Sequence, residues 1–108
     1  MIQRTQLLIE LARPASKICA YHFSNKPKTW NKKDSSPVTE ADIAVNDLFI
    51  DAISENFPDD GILSEETLDS SIRQNTEYVW VIDPIDGTSE FIRGSKEHCI
   101  MVCLLHKN

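Results

Sequence analysis

Residues 78–88 read YVWVIDPIDGT. The aromatic and β-branched run over residues 78–82 predicts a strand that is buried on both faces of a sheet. This strand is expected to end abruptly at the aspartate that follows it. Pro84 fixes φ and removes an amide N–H, Gly87 permits a tight turn, and Thr88 can begin a short helix. The segment therefore predicts a buried strand that carries two aspartates to one edge of a sheet.

A second short run, Gly61–Ser64, lies between turn residues and acids and predicts another strand. If the two strands are neighbours in one sheet, four carboxylates meet at one edge, namely Glu65, Glu66, Asp83 and Asp86. Such a cluster raises carboxyl pKa values or demands a hard cation, and oxygen ligands suit Mg²⁺. The constrained turn also directs the Ile85 carbonyl toward the same point. A plain polar turn is the alternative interpretation of residues 83–87 taken alone.

Two amphipathic helices are predicted before these strands. Apolar residues at helical spacing predict the first helix over residues 3–21, which Pro14 would kink or interrupt. Thr39 and Asp42 form a capping box, from which a second helix runs to Phe57. Each helix has one apolar stripe, so both are expected to pack on the sheet.

The remaining segments are predicted to be loops and one last strand. Residues 24–37 contain Pro, Lys and Ser without periodicity, which is typical of a loop in which Trp30 is an anchor or a strand fragment. Residues 67–77 are polar and predict another loop, and residues 98–105 predict a closing strand.

The charges are strongly segregated along the chain. Its 108 residues carry a net charge of −6, yet residues 1–33 hold seven Lys or Arg against one Glu, whereas residues 34–69 hold eleven Asp or Glu and no Lys or Arg. A solvated helix face or a bound cation would relieve the repulsion within that acidic block. Because the basic residues are confined to a short stretch, a nucleic-acid duplex is not the expected partner.

Cysteine and histidine usage argues against several other site types. Three cysteines and an N-terminal run that charges interrupt favour a cytoplasmic protein with neither a signal peptide nor a membrane span. His22, His98 and His106 are scattered without metal-ligand spacing. Cys99 and Cys103 lie four apart on the last predicted strand, where core or surface positions are expected. The sequence has no Ser-His-Asp arrangement and no Gly-rich phosphate loop.

Three motifs follow one another in a recognisable order: SPVTEAD at residues 36–42, LSEE at residues 63–66 and WVIDPIDGT at residues 80–88. Together they resemble the inositol monophosphatase-like superfamily, whose members are Mg²⁺-dependent, lithium-sensitive phosphatases of small phosphorylated molecules. LSEE and DGTSEFI are most similar to the 3′(2′),5′-bisphosphate nucleotidase (CysQ-like) branch, although Ser89 stands where that branch often has Lys. Haloacid dehalogenase-like phosphatases are the alternative class, but their two aspartates lie two positions apart rather than three.

The resemblance implies a metal-binding role for the acidic edge. Glu65, Asp83 and the Ile85 carbonyl would hold a first Mg²⁺, and Asp86 would reach a second. The complete site would contain two or three Mg²⁺ ions and would be inhibited by Li⁺. Glu66, the second acid of its pair, would support the site rather than ligate.

The resemblance also implies catalytic and substrate-binding roles. Glu65 and the Thr88 hydroxyl would orient the attacking water on the first metal, and Asp42 would polarise a water of a further metal. Asp86, Gly87 and Thr88 would bind the phosphorylated substrate.

By the same resemblance, residues 1–108 are expected to be the N-terminal, metal-bearing part of a phosphatase domain whose C-terminal part lies outside this sequence. The complete domain would be a layered α/β sandwich of the sugar-phosphatase type. Residues 1–108 are expected to supply an α+β part of it, with two N-terminal helices packed on a mostly antiparallel sheet. The expected substrate is adenosine 3′,5′-bisphosphate, as in sulfur assimilation, and a homodimer is one assembly to expect. Inositol monophosphatase activity is one alternative. A non-catalytic remnant that only binds a cation is the other.

Overall fold

The computed structural model describes residues 1–67 and 75–107, within which the chain forms three helices and five strands. The helices are α1 (Arg4–Ser24), α2 (Glu40–Asn56) and α3 (Thr88–Ile92). The strands are β1 (Thr29–Asn31), β2 (Pro37–Thr39), β3 (Gly61–Ser64), β4 (Tyr78–Asp86) and β5 (Cys99–His106). The predicted loop over residues 67–77 has its central part, residues 68–74, outside the described residues. None of the described helices combines the length and the apolar character that crossing a membrane requires.

The strands form two sheets. β1 and β2 pair antiparallel, and a three-stranded sheet has the order β3-β4-β5. β4 lies in its centre, parallel to β3 and antiparallel to β5. The predicted α+β class is therefore confirmed, with mostly antiparallel pairing in the described part of the chain. The parallel β3–β4 pair determines where the two acidic strand ends meet.

Both long helices pack on one face of the three-stranded sheet. The buried cluster between them consists of Leu7, Leu11 and Ala15 from α1, Val45, Phe49 and Ile53 from α2, and Trp80 and Ile82 from β4. Burying a large apolar side chain of this kind contributes about 1.5–3 kcal/mol to folding. On the opposite face, Leu63, Val81 and Cys103 lie side by side in register and line an open depression of about 650 Å³.

α1 is longer than predicted and continues through Pro14 as one helix. Proline cannot donate to the carbonyl four residues before it, which is why a kink or a break was expected there. Pro14 lies on the exposed side of α1, where water can satisfy that carbonyl. Leu11 and Ala15 beside it are buried against the core. The prediction of a break is wrong because packing of the buried stripe outweighs the local cost of proline.

Two strands extend beyond their predicted limits. β1 lies inside the predicted loop, and Trp30 pairs with Val38 of β2, so the strand-fragment alternative for Trp30 is confirmed. β4 does not end at Asp83 but continues to Asp86, with an irregular register between these two residues. Because Pro84 has no N–H to donate, pairing with β5 is interrupted there and resumes at Asp86. The abrupt strand end that we predicted is thus an irregularity within a longer strand.

A buried carboxylate ties the start of α1 to the sheet. Arg4 donates through Nε and Nη2 to the two oxygens of Asp60, at 2.8 Å each. Trp80 Nε1 donates to the same carboxylate at 2.9 Å. The guanidinium also lies 4.3 Å from the ring centroid of Phe57 and 3.7 Å from that of Tyr78. Asp60 therefore has three donors although its side chain is only 4% exposed, as a buried charge requires.

We expect Asp60→Ala to destabilise the chain by about 2–4 kcal/mol, because the change leaves the Arg4 charge and the Trp80 N–H without their partner. Asp59→Ala, at the exposed neighbouring residue, is the matched control and should cost less than about 0.5 kcal/mol. Urea unfolding followed by circular dichroism measures both. Equal losses in the two variants would show that the buried network does not contribute.

Candidate active site

Two acidic strand ends meet because β3 and β4 run parallel. Ser64 pairs with Ile82 at the end of β3, and the Glu65 amide donates to the Ile82 carbonyl at 3.1 Å. Glu65 and Asp83 therefore leave the sheet beside each other, as the sequence predicts. They line a cleft of about 310 Å³, called the acidic cleft below. Its lining includes Lys32, Glu65, Glu66, Asp83, Ile85, Asp86, Gly87 and Thr88.

A buried polar network holds the turn that follows β3. The Ser64 hydroxyl donates to the side-chain carbonyl of Asn46 and accepts from the Glu66 amide at 3.2 Å. The Asn46 amide group donates to the Thr67 hydroxyl at 3.4 Å. Ser64 and Asn46 are 7% and 4% exposed, and a satisfied buried network of this kind specifies one geometry. Asn46 of α2 thus holds the turn that carries Glu65.

Asp83 lies among the other carboxylates of the acidic cleft. Its pKa rises from the ordinary 3.8 to about 6, first through burial and then through the carboxylates of Glu65, Asp86, Asp42 and Glu66. An anion among other anions is unfavourable at neutral pH, and a nearby cation relieves it. The geometry therefore favours a cation beside Asp83.

One of these acids has a counter-ion within the chain. Lys32 directly follows β1, and its ammonium lies 2.9 Å from Glu66 Oε1 and 3.3 Å from the Glu65 carbonyl oxygen. The Glu66 side chain is only 6% exposed, and burial raises its pKa while Lys32 opposes that rise. Glu66 therefore supports the turn through an ion pair, whereas Glu65 is exposed to the cleft. Sequence reasoning missed Lys32, although the segregation of basic and acidic blocks was a signal that they would meet.

Asp42 connects the start of α2 to Thr88. Its Oδ2 accepts from the amide and the hydroxyl of Thr39, both at 2.8 Å, and the predicted capping box is confirmed. Its Oδ1 accepts from the Thr88 hydroxyl at 3.0 Å. Because Asp42 is 1% exposed, it reaches the acidic cleft through Thr88 and not directly. Its predicted action on a water of a further metal stays a prediction.

Thr88 has one hydroxyl hydrogen and two acceptors within reach. The Ile85 carbonyl lies 3.1 Å from its Oγ1, and the Asp42 carboxylate lies 3.0 Å away. Since a hydrogen bond to a carboxylate is stronger than one to a carbonyl, we expect the hydrogen to point at Asp42. The Ile85 oxygen and the lone pairs of the hydroxyl are then available to other partners in the cleft.

Gly87 makes the turn between β4 and α3 possible. Its φ of +90° lies in the left-handed region that favours glycine. A Cβ at this position would come within 2.8 Å of the Glu97 carbonyl and 3.3 Å of the His98 Cα. The backbone before β5 therefore packs directly on the turn and holds Gly87 and Thr88 at the wall of the acidic cleft.

The donor set of the acidic cleft suits a hard cation. Glu65, Asp83, Asp86 and the Ile85 carbonyl all offer oxygen, and Cys99 is the soft donor beside them, with its Sγ 4.0 Å from Asp86 Oδ2. Within residues 1–67 and 75–107, no three His, Cys, Asp or Glu side chains are arranged to hold a metal ion by themselves. Mg²⁺ commonly binds through one or two carboxylates and keeps several waters. The residues present fit that mode, and the predicted ligand set stays a prediction.

The three histidines pack against aromatic rings instead of lining the cleft. The His98 ring centroid lies 5.1 Å from that of Phe23 and 4.9 Å from that of Phe91. His106 stacks on Tyr78 at 4.3 Å, and His22 contacts a neighbouring tyrosine edge-on. These contacts give each ring a packing role.

Comparison with known proteins identifies a family that the sequence matches along nearly its whole length. A model of the inositol monophosphatase family matches residues 2–108. A histidinol-phosphatase of Chlorobaculum parvum is 41% identical over 100 residues, which cover 92% of this chain and 38% of that protein. The 3′(2′),5′-bisphosphate nucleotidase CysQ of Escherichia coli (strain K12) is 40% identical over 99 residues, covering 89% of this chain and 40% of that one. The chain thus spans about two fifths of the length of these relatives.

Solved structures show the same fold. An IMPase of Thermotoga maritima matches with a TM-score of 0.84 at 27% identity, over 98% of this chain and 41% of that one. A staphylococcal inositol monophosphatase-1 soaked in LiCl has a TM-score of 0.84 at 21% identity, over 95% of this chain and 39% of that one. The fold of the two helices and the sheet therefore recurs in longer proteins.

We expect Asp83→Asn to raise the melting temperature of the cation-free protein by about 3–6 °C at pH 7.5. The folded-state pKa of Asp83 lies above its ordinary value, so the cost of ionising it in the folded protein grows between about pH 4 and 6 and is constant above. Asparagine has no such cost, so the difference from wild type should follow the same pH window. Differential scanning calorimetry across this range measures it.

Added Mg²⁺ should raise the melting temperature of the wild-type protein in a concentration-dependent way and leave Asp83→Asn almost unchanged. Asp51→Asn, at an exposed position of α2, is the matched control and should respond as wild type does. A wild-type melting curve that Mg²⁺ leaves unmoved would show that the acidic cleft holds no cation.

Proposed function

We propose, on the premise that this chain belongs to the inositol monophosphatase family, that it forms the N-terminal, metal-bearing part of a Mg²⁺-dependent phosphatase of small phosphate monoesters. The observation that carries the proposal is the acidic cleft, where Asp83 has a pKa of about 6 among four further carboxylates. Carboxylates that favour a cation, set beside a held threonine hydroxyl, are the parts that metal-assisted phosphoryl transfer requires.

The oxygen donors of the acidic cleft support the metal-binding residues that the resemblance implies. Glu65, Asp83 and the Ile85 carbonyl would hold a first Mg²⁺, and Asp86 would reach a second. Bound there, the ions supply Lewis-acid stabilisation of the phosphoryl oxygens and lower the pKa of water. Two related structures support this proposal: one is a LiCl-soaked inhibitory complex of a staphylococcal inositol monophosphatase, and another is an IMPase/NADP phosphatase complexed with NADP and Ca²⁺.

The chain itself positions the attacking water. With its hydrogen donated to Asp42, the Thr88 hydroxyl presents lone pairs that accept a hydrogen bond from water in the acidic cleft. Glu65, in the lining of the same cleft, would accept a second hydrogen bond from that water, and the two bonds would direct the water oxygen at phosphorus. Gly87 and Thr88 lie in the wall of the cleft, where their backbone would face the substrate phosphate beside Asp86. These groups are held before the substrate arrives, so little reorganisation is needed in the transition state.

The substrate that we propose is adenosine 3′,5′-bisphosphate. The support comes from the LSEE and DGTSEFI motifs and from CysQ relatives such as the one in Escherichia coli. Other relatives include a histidinol-phosphatase and a bifunctional phosphatase of Arabidopsis thaliana. Their names agree on phosphatase chemistry but not on one substrate. The acidic cleft thus accounts for the shared phosphate chemistry, while the alcohol is selected elsewhere.

The cellular setting that we propose follows from the thiols. Cys19, Cys99 and Cys103 are all free, and two of them are exposed, which suits a reducing cytoplasm. The similarity to CysQ proteins supports a role in sulfur assimilation. A homodimer is the assembly that we propose.

In the complete protein we expect phosphate release that requires Mg²⁺ and is inhibited by Li⁺. Thr88→Val keeps the shape of the side chain and removes the hydroxyl, so kcat should fall by about 10²–10³. Thr5→Val, at an exposed position of α1, is the matched control. Malachite-green detection of phosphate measures all three proteins. Phosphate release without Mg²⁺, or an unchanged kcat in Thr88→Val, would contradict the proposed mechanism.

We expect kcat/KM to be higher for adenosine 3′,5′-bisphosphate than for inositol 1-phosphate or histidinol phosphate. The same phosphate assay, run on the three substrates at equal Mg²⁺, gives the ranking. A higher value for inositol 1-phosphate would replace the substrate and leave the phosphatase chemistry intact. Cation-dependent stabilisation with no release from any substrate would instead favour the non-catalytic remnant.

A further inference from the structure

A tryptophan lies exposed beside the acidic cleft. Trp30 is in the centre of β1 and is 46% exposed, whereas Val38, its partner in β2, is 1% exposed. Directly paired residues of antiparallel strands have their side chains on the same face. The indole therefore lies on the face that also carries Val38. An aromatic side chain of this size left exposed on a paired strand has contact area to offer a ligand.

The indole lines a second cavity of about 300 Å³. Its lining includes Trp30, Lys32, Val38, Ile43, Glu65 and Glu66. Three of these residues, Lys32, Glu65 and Glu66, also line the acidic cleft. The two cavities thus share a wall, so a ligand that crosses it would contact both the acidic cleft and the indole.

The chemistry of the second cavity suits a flat, apolar ring next to a polar group. Trp30 and Ile43 provide aromatic and aliphatic surface, and pairing with β2 fixes the backbone that carries the indole. Lys32 neutralises Glu66 at the shared wall, with 2.9 Å between their charged atoms, so an anionic ligand crossing there meets less repulsion. A purine base joined to a phosphorylated ribose has this combination of a flat ring and an anion.

We propose that Trp30 is a specificity-determining residue that stacks on the base of a nucleoside phosphate whose phosphate lies in the acidic cleft. This inference rests on the proposed phosphatase function and adds to it the group that selects the alcohol. Stacking of one base on an aromatic side chain strengthens binding by at least about 5-fold. Nucleotide phosphates are therefore preferred over phosphates of the bare sugar.

The test compares two ligands that differ by the base alone. Isothermal titration of the complete protein, with Ca²⁺ in place of Mg²⁺ to hold hydrolysis back, gives the Kd of adenosine 5′-monophosphate and of ribose 5-phosphate. In the wild-type protein the nucleotide should bind at least about 5-fold more tightly. In Trp30→Leu the ratio of the two Kd values should fall to within about 2-fold of unity, and Trp30→Phe, which keeps a flat ring, should retain most of it. Tyr21→Leu, at an exposed aromatic residue of α1, is the matched control and should keep the wild-type ratio.

Fluorescence gives a second readout. Of the two tryptophans, Trp80 is fully buried and donates to Asp60, so a ligand that quenches emission on binding reports on Trp30. Adenosine 5′-monophosphate should quench the wild-type protein and fail to quench Trp30→Phe.

The outcomes separate the two proposals. If both ligands bind with Ca²⁺ and Trp30→Leu leaves their Kd ratio unchanged, the stacking is wrong while the phosphate site stands. If neither ligand binds in the presence of Ca²⁺, in the wild-type protein and Asp83→Asn alike, the proposed function fails and the stacking fails with it.

Discussion

The parallel pairing of β3 with β4 places like charges together at one edge of the sheet. Several surrounding residues offset the resulting repulsion through an ion pair and hydrogen bonds. Glu65 and Asp83 leave adjacent strands in the same direction, so the backbone itself brings their carboxylates into one cleft. Glu66 is relieved by Lys32, and Asp42 by the donors of Thr39 and Thr88. Among the residues that the structure describes, Asp83 has no such relief: burial and the neighbouring carboxylates both raise its pKa. Asp83 therefore remains among like charges where the two strand ends meet.

α2 holds both turns of the acidic cleft from a single helix face. Asp42 and Asn46 lie four residues apart, a spacing that puts two side chains on the same side of a helix. Asp42 contacts Thr88 after β4, and Asn46 contacts Ser64 at the end of β3. Val45 lies one residue before Asn46 and Phe49 three residues after it, and both are buried in the core. Hydrophobic packing of α2 on the sheet thus also fixes the positions of Asp42 and Asn46, which lie on the same helix.

Much of the fold and the site could be predicted from local pattern. The capping box at Thr39, the short strand before Glu65 and the buried strand from Tyr78 each have a signature within a few residues. The rest depends on tertiary contacts. Helix α1 continues through Pro14, against the prediction, because the neighbouring residues are buried. For Trp30 the sequence left an anchor and a strand fragment open, and pairing with β2 decides for the strand. Lys32 joins the site through an ion pair 34 residues away in sequence, which no local pattern contains.

The division of Asp42 between two partners limits how the chain can change over generations. One carboxylate oxygen closes the first turn of α2, and the other orients Thr88. A loss of stability at an ordinary position can be compensated by a stabilising substitution elsewhere. At Asp42 such compensation restores the amount of folded protein but not the orientation of the hydroxyl. A lineage that keeps the orientation of Thr88 should therefore keep this aspartate even where core residues of similar volume replace one another.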